Sequence, residues 1–223
     1  MDAPAARQPE LRSARLRLRE VRGDDAPALY EVHSDPVVMR YWSFPAWTRL
    51  DQAHARVEFI RGQRARGEVF AWALADIDGD RLIGTVALFA LDPAQRRAEV
   101  GYSLRSDRHG QGLASEALRA VLAFAFDELG LARIEADADP RNAPSCRLLE
   151  RLGFVREGLL RERWRVDGEV CDTALYGLLA REFVRVGSCR SGESREAVCE
   201  KPAGSKEGFA AFAAPTQAAG PRA

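Results

Sequence analysis

Lysine is almost missing from this 223-residue sequence: Lys201 and Lys206 are the only two, and every other basic side chain is arginine. The 33 basic and 33 acidic residues cancel, with acids interspersed among the arginines. A nucleic-acid binder needs a net basic face, so no direct nucleic-acid partner is expected. Long apolar runs are missing too. No window approaches the roughly 18 apolar residues of a membrane span, and Met1–Glu10 carries no apolar leader core. Neither a membrane partner nor secretion is expected, and cytoplasm is the expected compartment. The four cysteines, Cys146, Cys171, Cys189 and Cys199, show no Cys-x-x-Cys or Cys/His spacing, so free thiols and no metal are expected.

Leucine and isoleucine vanish after residue 183, where Gly, Ala, Ser and Pro fill more than half of the positions. Such a segment cannot bury enough apolar surface to offset its ordering entropy. The expected organisation is therefore a flexible stretch 1–10, one domain over 11–183 and a disordered tail over 184–223. Within the domain the pattern mixes α and β. Leu16 and Leu18 alternate with arginines as in a strand, Asp24-Asp25 leads into a helix with Leu29 and Val32, and 50–67 reads as a second helix. Strands at 70–77 and 81–90 flank Asp78-Gly79, a hairpin signal. A strand over 98–104, a helix over 113–129 closed by Gly130, a strand over 133–137, a short helix over 142–152 and a hairpin around Asp167-Gly168 follow.

The chemistry concentrates in Arg108-His109-Gly110-Gln111-Gly112-Leu113-Ala114-Ser115, where a strand passes through glycines into a helix. Glycines let a ligand approach the backbone, and the first turn of the helix offers unpaired N–H groups to an anion. A diphosphate fits that description. One reading is a dinucleotide-binding oxidoreductase, since Glu135 lies about 20 residues on. However, the third glycine or alanine of Gly-x-Gly-x-x-Gly/Ala is replaced by Ser115, and only one strand-helix-strand unit is visible.

The loop from His109 to Ala114 resembles the Gln/Arg-x-x-Gly-x-Gly/Ala signature of the GNAT superfamily of acyl-CoA-dependent N-acetyltransferases, with His109 at the first position in place of Gln or Arg. Downstream, the stretch from Asn142 through Ser145 to Gly153-Phe154 is similar to that family's Asn-x-x-Ser helix. Leu11 to Arg19 and Ser34-Asp35-Pro36 resemble the branch typified by ribosomal-protein-alanine N-acetyltransferases. The resemblance implies an α+β GNAT fold, with a central mixed, mostly antiparallel sheet flanked by helices. Its fourth and fifth strands, here 98–104 and 133–137, would splay apart. It also implies acetyl-CoA as the donor. Backbone N–H groups of Gly110, Gln111, Gly112, Leu113, Ala114 and Ser115 would hold the pyrophosphate, with His109 opening the loop. The backbone of Ser103 and Leu104 would pair with the pantetheine arm, and Asn142 would touch that arm.

Acetyl transfer to an amine needs a base for the ammonium and an acid for the departing thiolate. The expected base is Glu99, on the strand from which the family's base often works through water; the resemblance points to Ser145 as the acid. Cys146 invites a covalent reading, but it falls on the stripe with Leu149 and Leu152 and is expected to be a core thiol. The aromatic run from Tyr41 to Trp47, and Trp164 with its arginine neighbours, suit either an acceptor wall or packing. Asp172 matches an acid of the family's last strand without an evident role. His33 and His54 are expected at the surface. The implied activity is direct transfer to a primary amine, on a protein N-terminus or a small molecule, by a monomer or homodimer; a non-catalytic acyl-CoA-binding module is the alternative within the same resemblance.

Overall fold

The computed structural model describes residues 8–185; Cys189, Cys199 and nearly all of the segment expected to be a tail lie outside them. The chain runs β1 (Leu11–Arg12), β2 (Leu16–Glu20), α1 (Ala26–Ser34), α2 (Pro36–Met39), α3 (Leu50–Ala65), β3 (Phe70–Asp76), β4 (Leu82–Asp92), β5 (Arg97–Leu104), α4 (Leu113–Ala123), β6 (Arg133–Ala138), α5 (Ala143–Arg151), β7 (Val155–Val166) and β8 (Glu169–Leu179). The strands form one eight-stranded sheet in the order β1-β2-β3-β4-β5-β6-β8-β7. Every pairing is antiparallel except β5 with β6. Ahead of the expected strands stands the two-residue β1; counted from β2, the expected fourth and fifth strands are β5 and β6.

Both faces of the sheet are covered, and side-chain size separates them. Phe70, Trp72 and Leu74 of β3, with Val86 and Leu88 of β4, face the core under α4 and α5. Ala71, Ala73 and Ala87 face the other way, where small side chains let α1 and α3 sit close to the sheet. A strand buried on both faces shows no apolar/polar alternation, which is why β3 reads as one continuous apolar run. Helix α4 buries Leu113, Ala117, Leu118, Val121 and Leu122. It then widens into a π turn over Phe124–Glu128, with Leu129 N donating to Phe124 O at 3.1 Å, before Gly130 turns the chain at φ +65°. At the other end, Gln8 and Pro9, within the stretch expected to be flexible, are fastened to β3. The Gln8 amide exchanges two hydrogen bonds with the Ala71 backbone, and Trp72 Nε1 donates to Pro9 O at 2.8 Å.

The feature that makes a site possible is the partial pairing of β5 and β6. They are in register at Arg97 with Arg133, Ala98 with Ile134 and Glu99 with Glu135, and no further. Beyond that point β5 stays with β4 up to Leu104, and β6 stays with β8 up to Ala138. Two neighbours pull the strands apart, and a V opens between them. Gly84 of β4 holds one arm in place. A Cβ there would stand 2.3 Å from the Ser103 carbonyl oxygen, so β4 and β5 pack closer than any side chain allows. Gly84→Ala is expected to destabilise the protein by about 2 kcal/mol, the scale of overpacking a core. At this size that lowers Tm by about 5 °C, measured by thermal unfolding with and without acetyl-CoA.

Candidate active site

The glycine loop follows β5 at the open end of the V. Gly110 and Gly112 take φ +72° and +78°, the left-handed region that side chains avoid, and a Cβ on Gly110 would meet nothing within 4 Å. The backbone therefore faces open space, with room for a ligand against it. The first helical bond of α4 runs from Glu116 N to Gly112 O, leaving the N–H groups of Leu113, Ala114 and Ser115 without an intrahelical acceptor. No side chain caps them. Three further contacts hold the loop. His109 Nε2 donates to Leu104 O at 2.8 Å, Gln111 Nε2 donates to Asp107 O at 3.1 Å, and Arg15 Nη1 donates to Gln111 O at 3.0 Å while pairing with Glu116. The imidazole at position 109 thus pins the loop onto the end of β5, a task open to any side-chain donor of suitable reach.

A cavity of about 860 Å³ extends from this loop through the V to the opposite face of the sheet. Gly110, Gly112 and Ser115 line its mouth, and Tyr102 and Ser103 of β5 line one arm. Across from them stands α5. Asn142 caps this helix, its Oδ1 accepting from Ser145 N at 3.2 Å. Ser145 Oγ lies 2.7 Å from the Tyr102 hydroxyl. Burial pushes the Tyr102 phenol up to about 12, against the opposing Ser145 hydrogen bond, so the hydroxyl keeps its proton at neutral pH.

Carboxylates gather where the strands part. Glu99 stands opposite Glu135 at the last paired position. Burial pushes the Glu99 carboxyl up to about 7, helped by Asp137 and Glu135 and opposed by Arg97 and Arg163. Glu135 is held by Arg97 at 3.1 Å and Arg133 at 2.8 Å. Asp137, two residues further along β6, lines the cavity, and burial pushes it up to about 6 against Arg163. The far end of the cavity is aromatic: Tyr41, Trp42 and Phe44 from the segment before α3, and Trp164 from β7. Asp172 acquires a physical role here. Its Oδ1 accepts from Glu162 N at 2.8 Å, holding Glu162 at φ +53° in the irregular stretch of β7 that presents Trp164.

Of the residues singled out in the sequence, Ser103, Leu104, His109, Gly110, Gly112, Ala114, Ser115, Asn142 and Ser145 line one cavity. Three do not. Leu113 points into the core, Gln111 is exposed beside the loop, and Glu99 lies behind Asp137 at the apex of the V. Cys146 is partly buried against the core, its Sγ 3.7 Å from Asp139 O, whereas Cys171 lies on the cavity wall. His54 is exposed, but His33 is buried, contrary to expectation: it stacks on Trp47 at 4.4 Å, and burial holds its imidazole down at about 4. Sequence reasoning missed Tyr102 and Asp137 as site residues. Asp137 left a signal, since Glu135 and Asp137 alternate with Ile134 and Ala136 and must share a face; Tyr102 meets Ser145 across 43 residues and left none. Among the described residues no group of three or more His, Cys, Asp or Glu is placed to hold a metal, and no helix is long and apolar enough to cross a membrane.

A splayed parallel pair, a helix terminus with uncapped N–H groups and a cavity through the sheet are the arrangement expected of an acyl-CoA-dependent transferase. Among the described residues the single parallel pairing leaves no doubly wound sheet for a dinucleotide enzyme. Residues 15–155 match the acetyltransferase (GNAT) domain model, and the chain belongs to that family. It is 35% identical over 173 residues to the uncharacterized N-acetyltransferase p20 of Bacillus licheniformis, covering 78% of this chain and 97% of the relative. It is 30% identical over 182 residues to the [ribosomal protein uS5]-alanine N-acetyltransferase of Escherichia coli, covering 78% and 92%. Mycobacterium smegmatis RimJ, solved with CoA-disulfide, superposes with a TM-score of 0.68 at 28% identity, covering 78% of this chain and 87% of its own. The chain is an acetyl-CoA-dependent N-acetyltransferase.

Proposed function

We propose that the protein transfers acetyl directly from acetyl-CoA to a primary amine, with donor and acceptor meeting inside the V from opposite faces of the sheet. The observation that carries this reading is the continuous cavity joining the glycine loop, the Ser145–Tyr102 pair and the Asp137 carboxylate. The amides of Gly110 to Ser115 receive the diphosphate. The edge of β5 beyond Glu99, which no strand covers, pairs with the pantetheine arm, and a backbone N–H near Ser103 and Leu104 stabilises the oxyanion. Tyr102 donates to Ser145 Oγ, which frees the serine proton for the departing sulfur. Glu99, through Asp137 or water beside it, takes the proton of the incoming ammonium. Carboxyls held near 6 and 7 are suited to that exchange at neutral pH.

The acceptor is a protonated amine, on a protein N-terminus as for the uS5-alanine relative or on a small molecule, drawn by carboxylates and bounded by aromatic rings. The test is an amine panel (polyamines, amino acids, N-terminal alanine and serine peptides) with thiol release and product mass followed together. Acetylated product in equal amount to released thiol supports the reading. Thiol release with no acetylated amine on any member of the panel, or donor binding without turnover, contradicts it.

A further inference from the structure

Two like-charged pairs sit side by side where β5 and β6 part. Arg97 stands opposite Arg133 and Glu99 opposite Glu135, while Ala98 and Ile134 between them face the core. An even division would give each carboxylate one guanidinium. Both go to Glu135 instead: Arg97 Nη1 crosses the strands to its Oε2 at 3.1 Å, and Arg133 Nε reaches its Oε1 at 2.8 Å. Glu99 is left without an ion pair among the described residues. Arg133 is also fixed from the edge of the sheet, where its Nη1 donates to Glu157 Oε1 of β7 at 3.0 Å. That contact passes over Gly177 of β8. A Cβ there would stand 2.5 Å from Arg133 Nη2 and 2.6 Å from Glu157 Oε1, so the lack of a side chain gives the pair its path.

We propose that Glu135 is a positioning residue of the reaction: by drawing both guanidinium groups to itself and facing Glu99 with its own charge, it makes Glu99 the carboxyl that collects the proton of the incoming amine. The inference rests on Glu99 as the base proposed above. Where two acids share a site, the one that keeps its counter-charges stays a carboxylate and the uncompensated one takes the proton. The other charged groups that bear on Glu99 are Arg97 of its own strand, Asp137 of β6 and Arg163 of β7. From the β4 side Phe89 pairs with Glu99, and Asp92 lies 3.8 Å from Arg97. None of Arg97, Arg133, Glu135 and Glu157 lines the cavity, so the cluster reaches the substrate only through Glu99.

The experiment is an NMR titration of the full chain with isotope-labelled glutamate carboxyls, the Glu99 signal being assigned by its loss in Glu99→Gln. The pH profile of kcat/KM on the amine panel is recorded beside it. In the wild type the Glu99 signal should titrate at about pH 7. Glu135→Gln removes the facing charge and releases Arg97 and Arg133, and should lower that midpoint by about one pH unit or more, a tenfold loss of proton affinity. Glu135→Asp keeps the charge and should stay within about half a unit of the wild type. Arg133→Gln leaves Glu135 with one counter-charge fewer and should move the midpoint up; it decides the matter if Glu135→Gln does not fold. An unmoved midpoint in Glu135→Gln or Arg133→Gln, or an equal fall in Glu135→Asp, would overturn the inference. A midpoint that moves while the rise of rate stays in place would instead overturn Glu99 as the base on which it rests.

Discussion

Ser145→Ala is expected to lower kcat by about a hundredfold, the lower range for losing a positioned acid, while KM for acetyl-CoA changes little. The side chain is the only part of the residue that changes. Asn142 Oδ1 caps the helix through the Ser145 backbone N–H, which alanine retains, so α5 keeps its start. What is lost is the hydroxyl 2.7 Å from Tyr102, and with it the one proton donor of α5 that the structure places in the cavity wall beside that phenol. Thioesters with better leaving groups should recover most of the rate, because a thiolate that departs easily needs no acid. A variant with wild-type kcat on acetyl-CoA, or one equally slow on every thioester, would remove Ser145 from this role.

Glu99→Gln is expected to move activity and stability in opposite directions. The folded protein holds the Glu99 carboxyl up at about 7 from an ordinary 4.5, because burial and the neighbouring Asp137 and Glu135 disfavour its charge. The folded state therefore binds this proton more tightly than the unfolded chain. Below about pH 4.5 the group is protonated in both states and costs nothing; between about 4.5 and 7 the cost grows, and above 7 it is complete. Glutamine removes that cost, which is at most about 3.4 kcal/mol on the 1.36 kcal/mol-per-unit scale and about 2–3 kcal/mol once solvent screening of this half-buried carboxyl is allowed for. Tm should rise by about 5 °C near pH 8.5 and hardly at all near pH 5. The same change should lower kcat/KM by about a hundredfold and abolish the rise of rate with pH through about 7. An equal Tm gain at both pH values would show that packing, not charge, changed; an unaltered pH profile would place the base elsewhere, with Asp137→Asn as the next variant to compare.

The parts of this account that were legible in the sequence share one property: they are local. The glycine loop, the Asn142 cap, the Asp78-Gly79 turn and the alternation of Glu135 and Asp137 are written within a few residues, and each corresponds to a short-range backbone requirement. Glu99 was readable as a strand carboxylate, but its position behind Asp137 depends on where parallel pairing stops, which the neighbours β4 and β8 decide. His33 misled for a similar reason. Its burial follows from Leu29 and Val32 on the same side of α1 and from the arrival of Trp47, 14 positions away, and a polar residue type concealed it.

Direct transfer is the claim on which the assignment of Ser145, Tyr102, Asp137 and Glu99 depends. It is tested most directly by the intact mass of the protein after incubation with acetyl-CoA and no amine. The geometry predicts an unchanged mass, since Ser145 serves as an acid and Cys146 lies against the core. The gain of one acetyl group, lost again when an amine is added, would contradict it and make a cavity nucleophile, Cys171 or Ser145, the carrier of the acetyl group.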